Sequence, residues 1–137
     1  MSIWNTAKKQ AAPIDSVVDF PTDTRFHIAL NVVDVEPLLP FYNALFNQEP
    51  TLSRDGYTKY EVTEPPIIFS LNRVAHNARG HGDFGFEAKS SRFVRSAEER
   101  LLSQGFTPHN QVKLREHLVS FEVEDSESNK WTVFVRT

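Results

Sequence analysis

FHIALNV (Phe26–Val32) is answered later in the chain by DFGFEA (83–88), and each run is followed by an amphipathic helical stretch and more strand-like sequence. An echo of this kind implies two copies of one small module facing each other across a shared cleft. Within each run apolar residues alternate with polar or small ones, as a strand with one buried face requires. Phe26, Ile28, Leu30 and Val32 fall on one face and His27, Ala29 and Asn31 on the other. In the second copy Phe84, Phe86 and Ala88 match the buried set, while Asp83, Gly85 and Glu87 match the polar set. Imidazole and carboxylate groups are thereby expected on the inner face of a paired cup.

Composition narrows what such a cup can be. A chain of 137 residues suits one domain, and 39% hydrophobic residues with 11 Phe are enough for a core. The formal charge of -3 and the lack of a long basic block argue against a nucleic-acid groove, which needs clustered cations to displace counterions. With no Cys there are no disulfides, thiolate nucleophiles or zinc–thiolate sites. No apolar run approaches the roughly 20 residues that a membrane span needs. MSIWNTAKKQAAPIDSVVDFPTD (1–23) lacks the apolar stretch of a secretory signal, so the expected location is cytoplasmic.

Residues 1–24, with Pro13, Pro21 and many small or polar side chains, are expected to form an irregular arm before a single domain over 25–137. Asp34 and Pro37 offer helix-start chemistry, and Leu38, Phe41, Tyr42 and Leu45 recur on one helical face up to Asn47. Strands are expected at 51–54, 57–63 and 67–72, with Asp55-Gly56 as a hairpin turn. A polar connector, 73–82, leads to the second copy. Its helix, about 91–104, is expected to bury Phe93 or Val94, Ala97, Leu101 and Leu102 before Gly105 stops it. Strands at about 106–109, 116–124 and 130–136 complete an α+β fold of paired βαβββ modules, about 25–72 and 83–136, forming a cup-shaped mixed sheet.

Three segments carry a family resemblance. HIALNVVDVEPLLPFYNALFNQEP (27–50) looks like the first module of the vicinal oxygen chelate superfamily, the glyoxalase, bleomycin-resistance and ring-cleaving dioxygenase fold. YTKYEVTEPPIIFSLN (57–72) is similar to the YA-F-x-AEPPLKLVL stretch of its cadmium-induced protein and organoarsenical-lyase branch. VEDSESNKWTVFV (123–135) aligns without gaps to the F-x-DPDGN-x-WE-x-x turn and final strand. The resemblance covers about residues 25–136.

In that superfamily the cup usually holds one divalent metal, and such a site needs about three His, Glu or Gln ligands plus an open position. Carried over by resemblance, the first ligand falls on His27 and the second on Asp83, with His81 on the same strand parity as a substitute. The Glu that closes the site falls on Thr132, and its first-module counterpart falls near Ile67. A hydroxyl does not replace an anionic ligand, so the usual triad is broken. Glu87, Glu116 and Glu122 are carboxylates from which a neighbouring strand could supply a substitute. The lyase branch holds trivalent arsenic with a thiol pair, and a chain without Cys is not expected to do so.

Each candidate also has a plain structural reading. His27 is either a strand histidine bonded to a neighbouring backbone group or a ligand or acid–base residue. Asp83, after Gly80-His81-Gly82, is either a ligand or a cap at the start of its strand. His76, His109 and His117 have no ligand spacing and read as surface residues, Tyr42 as core, and Trp131 as packing under a helix. Without metal the cup still offers a pocket. His27, Asn31, Phe69, Asp83, Glu87, Thr132, Phe134 and Arg136 are the expected ligand-binding set, with Arg136 suited to an anionic group.

The expected function is small-molecule binding in the cup of a homodimer, the dimer following from analogy with metal-free superfamily members. The cofactor is either none or one divalent metal ion. The alternatives are a metal-dependent lyase or dioxygenase using His27 with Asp83 or His81, and a non-catalytic assembly subunit acting through residues 1–24.

Overall fold

The computed structural model describes residues 19–78, 80–113 and 118–136, with side chains described outside 110–118. The first module is β1 (Phe26–Val32), a 3-10 turn at Glu36–Leu38, α1 (Leu39–Phe46), β2 (Leu52–Arg54), β3 (Tyr57–Val62) and β4 (Ile67–Arg73). The second is β5 (Asp83–Glu87), α2 (Ser91–Ser103), β6 (His109–Lys113), β7 (Leu118–Glu124) and β8 (Lys130–Arg136). The repeat holds at the level of topology as well as pattern. One sheet runs β1-β4-β3-β2 and the other β5-β8-β7-β6, each with its first strand parallel to its last and at the sheet edge.

Local chemistry explains the boundaries. Pro37 and Pro40 stand where a helix start tolerates a missing N–H, and Asn47 ends α1 in the left-handed conformation at φ 56°. The Ser90 hydroxyl caps α2 by accepting from Phe93 N at 3.2 Å. Gly105, at φ 89°, takes the turn that stops it. The sequence places the sixth strand too early: it begins at His109, and 106–108 form a connection. Residues 114–117, with Glu116 and His117, lie outside the described residues.

The core lies between the modules. Tyr42 and Phe46 of α1 meet Phe69 of β4 and Trp131 of β8, with Phe69 and Trp131 ring centroids 5.6 Å apart. Burying each such ring stabilises the fold by about 1.5–3 kcal/mol. Phe41, Leu45, Val94, Ala97, Leu101, Phe121 and Val133 extend this one cluster. Two residues depart from the expected apolar faces. Phe26 is 80% exposed at the start of edge strand β1, and Leu102 is 54% exposed, because Leu101 takes the inward position on α2.

A polar device joins the modules through that core. Asp125 sits at the turn between β7 and β8, where its Oδ1 accepts from the backbone N–H of Glu127 at 2.8 Å and of Asn129 at 3.0 Å. Its Oδ2 accepts from the Tyr42 hydroxyl at 2.7 Å. Asn129 in turn accepts from Gly82 N at 2.8 Å, which fixes the start of β5. The Glu127 carboxylate accepts from Val33 N at 2.9 Å and from Asp34 N at 3.0 Å, which fixes the end of β1. One turn therefore sets the positions of both strands that carry candidate ligands.

Candidate functional site

Strand register divides the candidate residues between two faces. On the first sheet His27, Ala29 and Asn31 share a face with Ile68, Ser70 and Asn72 of β4 and with Tyr57, Lys59 and Glu61 of β3. On the second, Asp83, Gly85 and Glu87 share a face with Lys130, Thr132, Phe134 and Arg136 of β8 and with Ser120, Glu122 and Glu124 of β7. The opposite face of each sheet lines the common core, so these polar faces turn away from it. Residues assigned by sequence to one cleft thus come from two sheets, one half-cup from each module.

On the first half-cup the His27 ring is exposed, and its Nε2 lies 3.3 Å from the Ser70 hydroxyl. The imidazole therefore has a side-chain neighbour rather than the backbone partner of the plain reading. Asn31 is exposed at the other end of the strand. Deeper in the same face, Arg25 Nη2 donates to Glu61 Oε1 at 2.7 Å and Lys59 Nζ stands 3.4 Å from Oε2, all three side chains buried. None of these three charges belongs to the expected set. The alternation of YTKYEV (Tyr57–Val62) carries the signal for Lys59 and Glu61, since both share the parity that faces away from Tyr60 and Val62.

Phe69 requires a correction. It belongs with Tyr42, 4.6 Å between centroids, in the fully buried core and not with the ligand-binding set. Ser70, its neighbour, takes the cup position, because side chains on a strand alternate. A one-residue error of parity moves a side chain through the sheet.

On the second half-cup Gly85 lies against Thr132, and a Cβ there would stand 2.9 Å from the Thr132 carbonyl oxygen. The glycine lets the strands approach and leaves the floor shallow. Thr132 and Phe134 are half-buried, while Asp83, Glu87 and Arg136 are exposed. Arg136 Nε is 3.6 Å from Glu87 Oε2, so the guanidinium expected to hold an anion has a carboxylate beside it. His81 is exposed in the connector before β5.

His27, His81 and Asp83 do not come together as a three-ligand group. Among the described residues no group of three His, Asp or Glu side chains converges. The β4 partner of His27 is Ile68, and Ile67 faces the core. Glu122 stands directly across from Thr132 on β7, with His109 across from Glu122 on β6, yet Lys130 Nζ lies 3.7 Å from the Glu122 carboxylate.

Buried hydroxyls dominate the titration behaviour. Burial, reinforced by the Asp125 charge, pushes Tyr42 well above the ordinary tyrosine range. Burial and the Glu49 charge push Tyr60 in the same direction. Both stay neutral and serve the core, Tyr60 by donating to Asn43 Oδ1 at 2.7 Å.

Known proteins are similar to it in sequence and in architecture, although no family model matches the chain. It is 32% identical over 114 residues to a trivalent organoarsenical cleaving enzyme of Bacillus sp. (strain MD1), across 79% of this chain and 70% of that enzyme. It is 30% identical over 89 residues to the cadmium-induced protein CadI of Mycobacterium bovis, across 65% of this chain and 59% of CadI. Among solved structures, a glyoxalase/bleomycin resistance protein from Albidiferax ferrireducens T118 superposes with a TM-score of 0.63 at 21% identity, covering 81% of this chain and 97% of that one. The shared architecture and the organoarsenical-cleaving relative together place the chain in the glyoxalase/bleomycin resistance/dioxygenase superfamily, which is the family to which it belongs.

Proposed function

We propose that the protein binds a small molecule in the cup, as a homodimer, without a complete catalytic metal site. This reading is carried by the chemistry of the ligand positions that the superfamily resemblance implies: the closing carboxylate falls on Thr132 and its first-module counterpart near Ile67, and the strand partner of His27 is Ile68. None of these three side chains offers an anionic donor, so the residues present do not fit the metal that the fold usually holds. The absence of Cys from the sequence likewise sets it apart from a thiol-based arsenic site.

Homodimer formation is supported by the arrangement of the half-cups. β1 and β5, which carry His27, Asn31, Asp83 and Glu87, are both edge strands, and edge strands are templates for pairing with another chain. A second copy would set the first half-cup of one protomer against the second half-cup of its partner and make one enclosed site of two open ones. A cytoplasmic location agrees with a chain in which no described helix is long and apolar enough to cross a membrane.

The register of Glu122 opposite Thr132 favours a second reading, a metal-dependent lyase or dioxygenase with a carboxylate supplied from β7. Elemental mass spectrometry on tag-free protein and on His27→Ala, after incubation with Zn, Ni, Mn and Fe(II), separates the two. The binding-protein reading expects no stoichiometric metal in either sample. Near-stoichiometric metal in the wild type that disappears in the variant would overturn it.

A further inference from the structure

Buried ion pairs seldom stabilise a fold more than apolar packing does, and their best-attested use is in specifying a register or a switch. Arg25, Lys59 and Glu61, with side-chain exposures of 3%, 9% and 0%, therefore need a reason to occupy the half-cup. Their place in the sheet supplies one. Glu61 pairs with Ile68, and Ile68 with His27, so the buried carboxylate lies in the same cross-strand row as the candidate imidazole.

The chain leading into β1 packs at the Glu61 end of this row, while the His27 ring at the other end is exposed. Residues 19–25 have no regular structure, and within them the Phe20 ring lies 4.2 Å from the Arg25 guanidinium carbon. Arg25 is thus held on one side by an aromatic face and on another by the Glu61 carboxylate at 2.7 Å. The two contacts differ in strength. Stacking of a cation on a partly exposed ring shifts an opening equilibrium by only about fivefold, whereas removing one partner of a buried ion pair is far more disruptive.

We propose that residues 19–25 are a strap that covers the Glu61 end of the first half-cup, with the Phe20–Arg25 stack as its latch and the Arg25–Glu61 pair as its anchor. The strap opens when Phe20 leaves the guanidinium, and the anchor stays. The inference rests on the reading of this face as a ligand surface, so its test includes a readout that needs no ligand.

The test compares the full chain with Phe20→Ala and Arg25→Lys, the latter keeping a cation for Glu61 while losing the planar face. Arg73→Gln, which changes an exposed pair with Asp55 at the far end of β4, is the control. Deuterium exchange of β3 and β4 and proteinase K cleavage mapped by mass spectrometry report opening, while 8-anilinonaphthalene-1-sulfonate fluorescence reports a surface that accepts a small molecule. The strap expects exchange of β3 and β4 and cleavage within 19–25 to rise about fivefold in both variants and not in the control, with dye bound by the variants alone. Unchanged exchange and cleavage in both variants would overturn the strap. Faster exchange with no dye bound would retain the strap and overturn the ligand surface. If Phe20→Ala fails to fold, Arg25→Lys carries the same comparison.

Discussion

Tyr42 and Asp125, 83 residues apart, share a 2.7 Å hydrogen bond in the core between the two modules. The hydroxyl also accepts from Trp131 Nε1 at 3.2 Å, so one oxygen ties a helix of the first module to a turn and a strand of the second. Tyr42→Phe keeps the ring and leaves the indole N–H without this acceptor. The expected loss is about 1–3 kcal/mol, the cost of stranding a buried donor. Urea unfolding measures it, and a midpoint equal to wild type would show that the hydroxyl contributes packing alone.

The same residue sets an alkaline limit. Burial holds Tyr42 and Tyr60 neutral above the ordinary range, whereas in the unfolded chain they ionise near about pH 10. Since the folded values are raised, this stabilisation is fully present below about pH 10 and is lost as pH rises through the folded values. Urea midpoints are expected to be flat from about pH 8 to pH 9.5 and to fall beyond about pH 10.5. Tyr42→Phe is expected to fall less steeply, with Tyr60 still contributing.

What could be read without a structure follows from this geometry. Strand alternation and turn chemistry are local, so β3, β8 and the helix ending at Asn47 were legible to within a residue or so. The half-cup residues His27, Asn31, Asp83, Glu87 and Thr132 were legible for the same reason, since each shares the parity of its strand. Phe69 was legible by the same rule and belongs to the other parity: Ile67, Phe69 and Leu71 are all apolar, whereas Ser70 and Asn72 mark the cup face. The Arg25–Glu61 pair and the Asp125 network join residues far apart in sequence, and no spacing rule reaches them. Which faces of the two sheets meet at Trp131 is a matter of tertiary packing, which no local pattern encodes.

Glu127 is expected to matter more than a turn residue usually does. Its buried carboxylate accepts from Val33 N and Asp34 N just beyond β1. Glu127→Gln retains the shape and loses the charge that strengthens both bonds. A loss of about 1–3 kcal/mol is expected, with faster amide exchange concentrated at Val33 and Asp34. Uniform exchange across the sheet would show that the carboxylate does not hold the end of β1.

Gly85 offers the most direct test of the second half-cup. A Cβ at this position would stand 2.9 Å from the Thr132 carbonyl oxygen, a backbone atom held in the β5–β8 ladder. That oxygen cannot swing aside as a side chain would, so the strands themselves must separate. Gly85→Val is expected to cost about 1–3 kcal/mol through this overpacking, although valine suits strands elsewhere. Gly85→Ala meets the same first contact with less bulk and is expected to cost less. The pattern to look for is a graded fall in urea midpoint from Gly to Ala to Val, accompanied by amide exchange at Phe86 and Val133 that rises in step. Equal midpoints for all three would mean that β5 lies farther from β8 than this packing requires, and that the shallow floor beside Thr132 is not set by the glycine.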